Sequence, residues 1–362
     1  MRPPVPCLTP DRASFQPVLP ALPVPSPRCI IPRMTSAVTG CSHCGTPLPG
    51  GAKFCHRCGA PQLADKRTEL DRLRDALGDD YAVMGELGRG GFAVVYLVED
   101  RKGRRHLAVK VLRRELLLSQ VLVERFRREI RLASRLDHPN ILPVLFSSEA
   151  ADFAYYAMPR VKGKTLKEIL RAAGKMPVIE AVSLLRDVAA ALAHAHGRGV
   201  AHRDIKPSNI MMADGKPLIL DFGLARALAA ADGSTLTISG EIIGSPQYLA
   251  PEQAAGDRDL DHRCDVYNWG LLGYEALAGV PAFDGASIQE VLYKQVAEEP
   301  RRLGELRADA PDGVVAVIER AMRKNREERW QEMNDAVTAL DAQLPAPHLR
   351  RMDRTGQAKP HR

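Results

Sequence analysis

The sequence predicts an α+β chain, in which antiparallel strand patterns and helical patterns occupy separate stretches. Three observations carry this expectation. Strand-like apolar runs follow one another from Tyr81 to Leu112. Two short apolar runs, Ile210 to Met212 and Leu218 to Leu220, flank Asp214-Gly215, a dipeptide that favours a tight turn between antiparallel strands. Helical spacing governs residues 178–196, where Val182, Leu185, Ala189 and Leu192 share a face, and the closing stretch with Met333, Val337, Leu340 and Leu344.

At 362 residues the chain is long enough for one large or two medium domains plus tails. Its hydrophobic content of 45% and charged content of 26% are those of a globular protein with a sizeable core. The formal net charge of +7 sits largely in the tails and around Arg125 to Arg131, a weak argument for nucleic acid or an anionic membrane and a better one for a solvated basic face. No apolar run approaches the ~20 residues of a membrane span, so no membrane-crossing segment and a cytoplasmic location are expected.

Residues 1–33 hold ten prolines and no periodic apolar pattern, so residues 1–40 are expected to be a disordered segment, with translation beginning at Met34. Residues 41–59 read C-S-H-C-G-T-P-L-P-G-G-A-K-F-C-H-R-C-G. Two C-x-x-C-G knuckles, Cys41/Cys44 and Cys55/Cys58, let paired thiolates grip one metal, while Gly45 and Gly59 permit the tight turn that aims N–H groups at sulfur. The competing reading is a pair of redox dithiols, but two matched knuckles in a module too small to own a core favour structural Zn²⁺. Residues 41–60 thus resemble a short zinc ribbon, and its closed Cys₄ set leaves no position for catalysis. A protein partner of the ribbon is one possibility; nucleic acid is not expected, because aromatic residues are not interleaved near it. Residues 61–79 form a charged connector, with Leu70, Leu73 and Leu77 at helical spacing.

The chemistry gathers in Ala201 to Gly223, which reads A-H-R-D-I-K-P-S-N-I-M-M-A-D-G-K-P-L-I-L-D-F-G. The hairpin brings its two polar ends together, so Asp204, Asn209 and Asp221 converge as an oxygen-rich cluster suited to Mg²⁺ carrying substrate phosphates. H-R-D-x-K-x-x-N followed by D-F-G resembles the catalytic and metal-binding loops of protein kinases. Other stretches repeat the resemblance in the family's order. Leu87 to Tyr96 is similar to the glycine-rich loop, with Gly88, Gly90 and Gly91 present and Ala93 where a third motif glycine usually sits. Leu107 to Leu112 resembles the V-A-I-K strand, and Tyr155 to Val161 the strand and hinge between two lobes. Gly244 to Glu252 resembles the substrate-docking loop and A-P-E, with Ser245 in place of the usual threonine.

The resemblance covers Tyr81 to Leu344 and implies a two-lobed fold with a small β-rich lobe over 80–158, a larger helical lobe over 162–344 and a disordered basic tail over 345–362. It implies a bacterial-type serine/threonine kinase that uses ATP and Mg²⁺, acts on Ser/Thr hydroxyls of proteins in signalling and autophosphorylates. In it Asp204 accepts the substrate hydroxyl's proton, and Lys206 stabilises the transferred phosphoryl group. Asn209 and Asp221 hold Mg²⁺. Lys110 holds the nucleotide phosphates and pairs with Glu129, which fits the R-R-E-I context better than Glu124 does. Val95 and Ala108 cover the adenine, Met158 is the gatekeeper and Val161 supplies the hinge N–H. Asp265 anchors the catalytic loop, Arg329 pairs with Glu252, and Arg203 is available to a phosphate on Thr235, Thr237 or Ser239. The rival reading is a pseudokinase or scaffold that binds partners through the ribbon without catalysis.

Overall fold

The computed structural model describes residues 39–41, 43–49, 52, 54–59, 68–90, 93–113, 120–150, 153–222, 245–257 and 259–344. The expectations for the proline-rich segment, the Met34 start, Gly91, the three activation-segment hydroxyls and the basic tail lie outside them. The chain divides into two compact units, Met1–Ala64 and Asp65–Arg362.

In the first unit β1 (Thr39–Gly40) pairs antiparallel with β2 (Pro47–Leu48). Cys41, Leu48 and Cys55 are buried together with Ala52 against them. Among the described residues, so few apolar side chains cannot hold a fold by burial alone, which throws the stability of this stretch onto its cysteines.

The second unit opens with α1 (Glu69–Leu77), where Thr68 and Asp71 form a reciprocal capping box. Leu73 and Leu77 are buried against Val94, Tyr96 and Val98, so the helix seals one face of the following sheet. That sheet comprises β3 (Tyr81–Arg89), β4 (Ala93–Asp100), β5 (Arg105–Leu112), β6 (Phe146–Ala150) and β7 (Phe153–Pro159), with α2 (Gln120–Ala133) inserted between β5 and β6. All its pairings are antiparallel, in the order β3-β4-β5-β7-β6. Strand alternation splits β7 cleanly. Tyr155 and Ala157 join the α1 side, whereas Ala154, Tyr156 and Met158 join Val123, Phe126 and Ile130 of α2.

The chain then leaves the sheet through β8 (Lys164–Thr165), α3 (Leu166–Ala173) and α4 (Val178–His196). Gly163 sits so close to the neighbouring strand that an added Cβ would lie 2.1 Å from the Met212 carbonyl oxygen, so no larger residue fits there. The hairpin β9 (Ile210–Ala213) and β10 (Lys216–Ile219) follows, its turn formed by Asp214 at φ 50 and Gly215 at φ 75. Two successive positive φ values match the twist of an antiparallel pair and explain why an Asp-Gly dipeptide stands there.

The helical half is built around α6 (Arg263–Ala278), which follows the short α5 (Pro251–Ala254). Nearly every residue of α6 is buried, so it runs through the core with no solvent stripe. The Trp269 indole N–H donates to the Leu185 carbonyl of α4 at 2.9 Å. Around it pack α7 (Ile288–Ala297), α8 (Leu303–Leu306), α9 (Asp312–Ala321) and α10 (Met333–Asp341). The last helix ends at Asp341, so Leu344 joins the core from beyond it rather than from its face.

One ion pair fastens this half. Arg329 has no exposed side-chain surface and grips Glu252 in a two-point contact, Nη1 to Oε1 at 2.7 Å and Nη2 to Oε2 at 2.8 Å. Its remaining N–H groups donate to the carbonyls of Arg323, Arg263 and Lys324. A guanidinium with every donor matched tolerates burial, whereas removing it strands a carboxylate. Arg329→Ala is therefore expected to destabilise the protein by about 3 to 5 kcal/mol in chemical denaturation; a midpoint equal to wild type would contradict this role.

Candidate active site

The catalytic-loop stretch is shaped from beneath by one carboxylate. Asp265, in the first turn of α6, has no exposed surface and accepts from the His202 N–H at 2.7 Å, the Arg203 N–H at 2.5 Å and His196 Nε2 at 2.8 Å. Burial alone would push the Asp265 carboxyl up, but His196 and the backbone N–H groups outweigh it and hold it below the usual value. Those bonds hold Arg203 at φ 65, in the left-handed region. The Arg203 carbonyl accepts from Gln253 Nε2 at 3.0 Å, which ties the loop to α5.

On this support the polar side chains meet. Lys206 Nζ donates to Asp204 Oδ1 at 2.8 Å. Asn209 Nδ2 donates to the Asp204 carbonyl at 2.8 Å and to Asp204 Oδ2 at 2.9 Å, which commits the amide nitrogen and leaves the amide oxygen as the acceptor. The Asn209 carbonyl in turn accepts from the Leu220 N–H at 2.9 Å, so Asn209 and Asp221 stand at the base of the same hairpin. Asp221 has φ 58, and the following Phe222 meets His202 edge to face at 4.8 Å.

The Asp221 carboxylate reaches out of the hairpin to the sheet. Lys110 Nζ donates to its Oδ2 at 2.7 Å and the Tyr156 hydroxyl donates to its Oδ1 at 2.8 Å. Burial pushes this carboxyl up, yet the Lys110 ammonium and the two hydrogen bonds outweigh burial and keep it below the usual carboxylate range. An ionised carboxylate beside an amide oxygen is a donor set that fits Mg²⁺, a hard cation that prefers oxygen. The sequence reading missed Tyr156. Its signal was the period of two along β7, which puts Tyr156 on the same face as Met158.

The other expected nucleotide contacts line the sheet. Gly88 pairs with Val95 across β3 and β4, and the Gly90 N–H closes the loop on the Ala93 carbonyl at 2.9 Å. Ala108 stands opposite Met158, and Val95 packs against the cluster that contains both. Val161 follows the end of β7 and is partly exposed, while Glu129 sits half-buried on α2.

In the first unit the four cysteines Cys41, Cys44, Cys55 and Cys58 place their sulfurs within 4.8 Å of one another. The Cys41–Cys58 and Cys44–Cys55 pairs stand 3.6 Å apart. Four sulfurs around one zinc at ~2.3 Å would be separated by roughly 3.8 Å, so the set fits a tetrahedral ion. The knuckle turns supply the N–H groups that favour thiolate. Burial opposes ionisation of Cys41, but the N–H groups of Cys44 and His43, each 3.4 Å from its sulfur, outweigh it and lower its pKa. Hydrogen bonding to Thr46 brings Cys44 down to about 6.

Residues 81–340 match the protein kinase domain family, and residues 41–62 match the zinc-ribbon domain family. The chain is 40% identical over 260 residues to the serine/threonine-protein kinase PknB of Mycobacterium leprae, covering 70% of this chain and 41% of the relative. It is 38% identical over 278 residues to PknB of Mycolicibacterium smegmatis, covering 74% and 44%. This chain thus spans less than half the length of these relatives. The crystal structure of the Mycobacterium tuberculosis PknI kinase domain superposes with a TM-score of 0.58 at 29% identity, covering 74% of this chain and 96% of that one. The fold is accordingly that of a protein kinase, with an antiparallel sheet in the small lobe and helices in the large one. Such a domain takes ATP and Mg²⁺, and the four-thiol cluster suits structural zinc. Among the described residues no helix is long and apolar enough to cross a membrane. The chain belongs to the protein kinase family and carries a zinc ribbon ahead of its kinase domain.

Proposed function

We propose that the chain is a protein serine/threonine kinase that transfers the γ-phosphoryl group of ATP to Ser or Thr hydroxyls of proteins, itself included, in bacterial signalling. The observation that carries this reading is the Asp204 carboxylate, held at once by Lys206 and Asn209 on a loop that Asp265 fixes from below. Phosphoryl transfer asks mainly for in-line positioning and for charge neutralisation, and this cluster is arranged for both.

In this reading Asp204 orients the substrate hydroxyl and takes its proton, and Lys206 donates to the oxygens of the moving phosphoryl group. Asn209 and Asp221 hold Mg²⁺, which supplies neutralisation of the phosphate charge when bound. Lys110 donates to the nucleotide phosphates, with Glu129 as its partner on α2. Gly88 and Gly90 cover the phosphates, Val95, Ala108 and Met158 enclose the adenine, and the Val161 N–H donates to it. The working bounds are a ribbon over 41–60, a connector over 61–79 and a kinase domain over 80–344. We place the enzyme in the cytoplasm, where thiols such as those of the ribbon stay reduced. The ribbon serves as a docking module for a protein partner, since its closed cysteine set has no catalytic position.

Incubation of purified protein with labelled ATP, Mg²⁺ and a Ser/Thr-rich test protein checks the central step. Asp204→Asn is expected to lower transfer on the order of a thousandfold while nucleotide affinity is retained; equal measurable rates would contradict the role of Asp204, and no transfer by wild type would leave a scaffold reading in place of the enzyme. For the ribbon, elemental mass spectrometry of the purified chain is expected to find one zinc, and Cys55→Ser should lose it. Full zinc content in that variant would contradict the assignment.

A further inference from the structure

The sheet register sets Lys110 and Tyr156 directly opposite each other on the neighbouring antiparallel strands β5 and β7. Residues so opposed project to the same face of a sheet, with Cβ atoms about 4.5 to 5.5 Å apart. Both side chains end on one group, the ammonium on Asp221 Oδ2 and the phenol on Asp221 Oδ1. Tyr156 is 2% exposed and its ring lies 6.2 Å from that of Phe126, so the hydroxyl is delivered from a fixed ring on a fixed strand. A phenol this deep needs a partner, because an unmatched buried hydroxyl costs several times what a satisfied one returns. Packing against α2 requires only the ring. The hydroxyl is what needs Asp221.

The two donors differ in their other commitments. On the reading proposed above, Lys110 is shared with the nucleotide phosphates. Among the described residues the Tyr156 hydroxyl bonds Asp221 alone. Each carboxylate oxygen accepts two partners, so an oxygen held by one donor keeps a lone pair for a cation. We infer that Tyr156 is a positioning residue: its hydroxyl fixes the orientation of the Asp221 carboxylate and so presents the remaining lone pairs to Mg²⁺. This rests on Asp221 being a metal ligand.

Tyr156→Phe removes the hydroxyl and keeps the ring. ATP affinity is measured by calorimetry on the full chain, once with Mg²⁺ and once with a chelator. The expected result is that the affinity gain conferred by Mg²⁺ shrinks about five- to tenfold, as for loss of one ordinary intramolecular hydrogen bond, while metal-free affinity and the ligand-free melting temperature stay at wild type. A wild-type gain in the variant would reduce Tyr156 to packing, and equal losses with and without Mg²⁺ would place its effect on the nucleotide pocket at large. Either result overturns the inference. Should Tyr156→Phe lower the melting temperature, the same substitution in an Asp221→Asn background decides the matter: no further change in the Mg²⁺ gain supports action through Asp221, and a further loss contradicts it. If wild type itself shows no gain from Mg²⁺, Asp221 is not a metal ligand and this inference falls with that reading.

Discussion

Lys110 and Asp221 stand 111 residues apart in the chain and 2.7 Å apart in space. This ion pair is one of the contacts by which the β-rich half of the second unit meets the hairpin of the helical half, beside the Tyr156–Asp221 bond and the backbone bonds of Asn140 and Leu142 to Ile219. Both side chains keep between a fifth and about a quarter of their surface exposed, so the pair is neither fully desolvated nor lost to bulk water. Charges in that middle regime attract more strongly than at an open surface without the full cost of burial. Tyr156 adds a neutral donor to the same carboxylate.

The other end of the hairpin depends on a different carboxylate. Asp265 takes its donors from consecutive backbone N–H groups and from His196, and α6 carries it on a helix buried on all sides. A rigid helix is the right carrier, because a catalytic loop held by a mobile group would lose its geometry. The stretch that resembles the family's substrate-docking loop is fastened to the same core. The Asn268 amide donates to the Tyr248 carbonyl at 2.5 Å, and the buried Gln295 amide donates to the Gln247 carbonyl at 2.7 Å. The loop that carries Asp204 and the stretch around Gln247 and Tyr248 therefore rest on the same core.

Much of this was legible in the residues. Asp214-Gly215 announces its turn because few other residues accept two positive φ values, and the helix over 178–196 declares itself by spacing alone. The Glu252–Arg329 pair and the support of the loop by Asp265 came from the family resemblance, not from periodicity. The Asp221–Tyr156 bond was hidden for a physical reason. It depends on which residue of β7 lies opposite Lys110, and register is fixed by the whole sheet and the helix packed on it rather than by any local pattern. The closing helix shows the opposite error. Leu344 fits the helical period, yet the helix ends at Asp341 and Leu344 reaches the core from the turn beyond.

The link between the two halves can be measured without substrate. A double-mutant cycle on unfolding free energy, with Lys110→Met, Asp221→Asn and the two combined, isolates the pair from the other contacts each residue makes. A favourable coupling of about 1 to 3 kcal/mol is expected for a partly buried ion pair already assembled before nucleotide arrives. Strictly additive effects would mean that the two side chains do not hold each other in solution until a ligand brings them together.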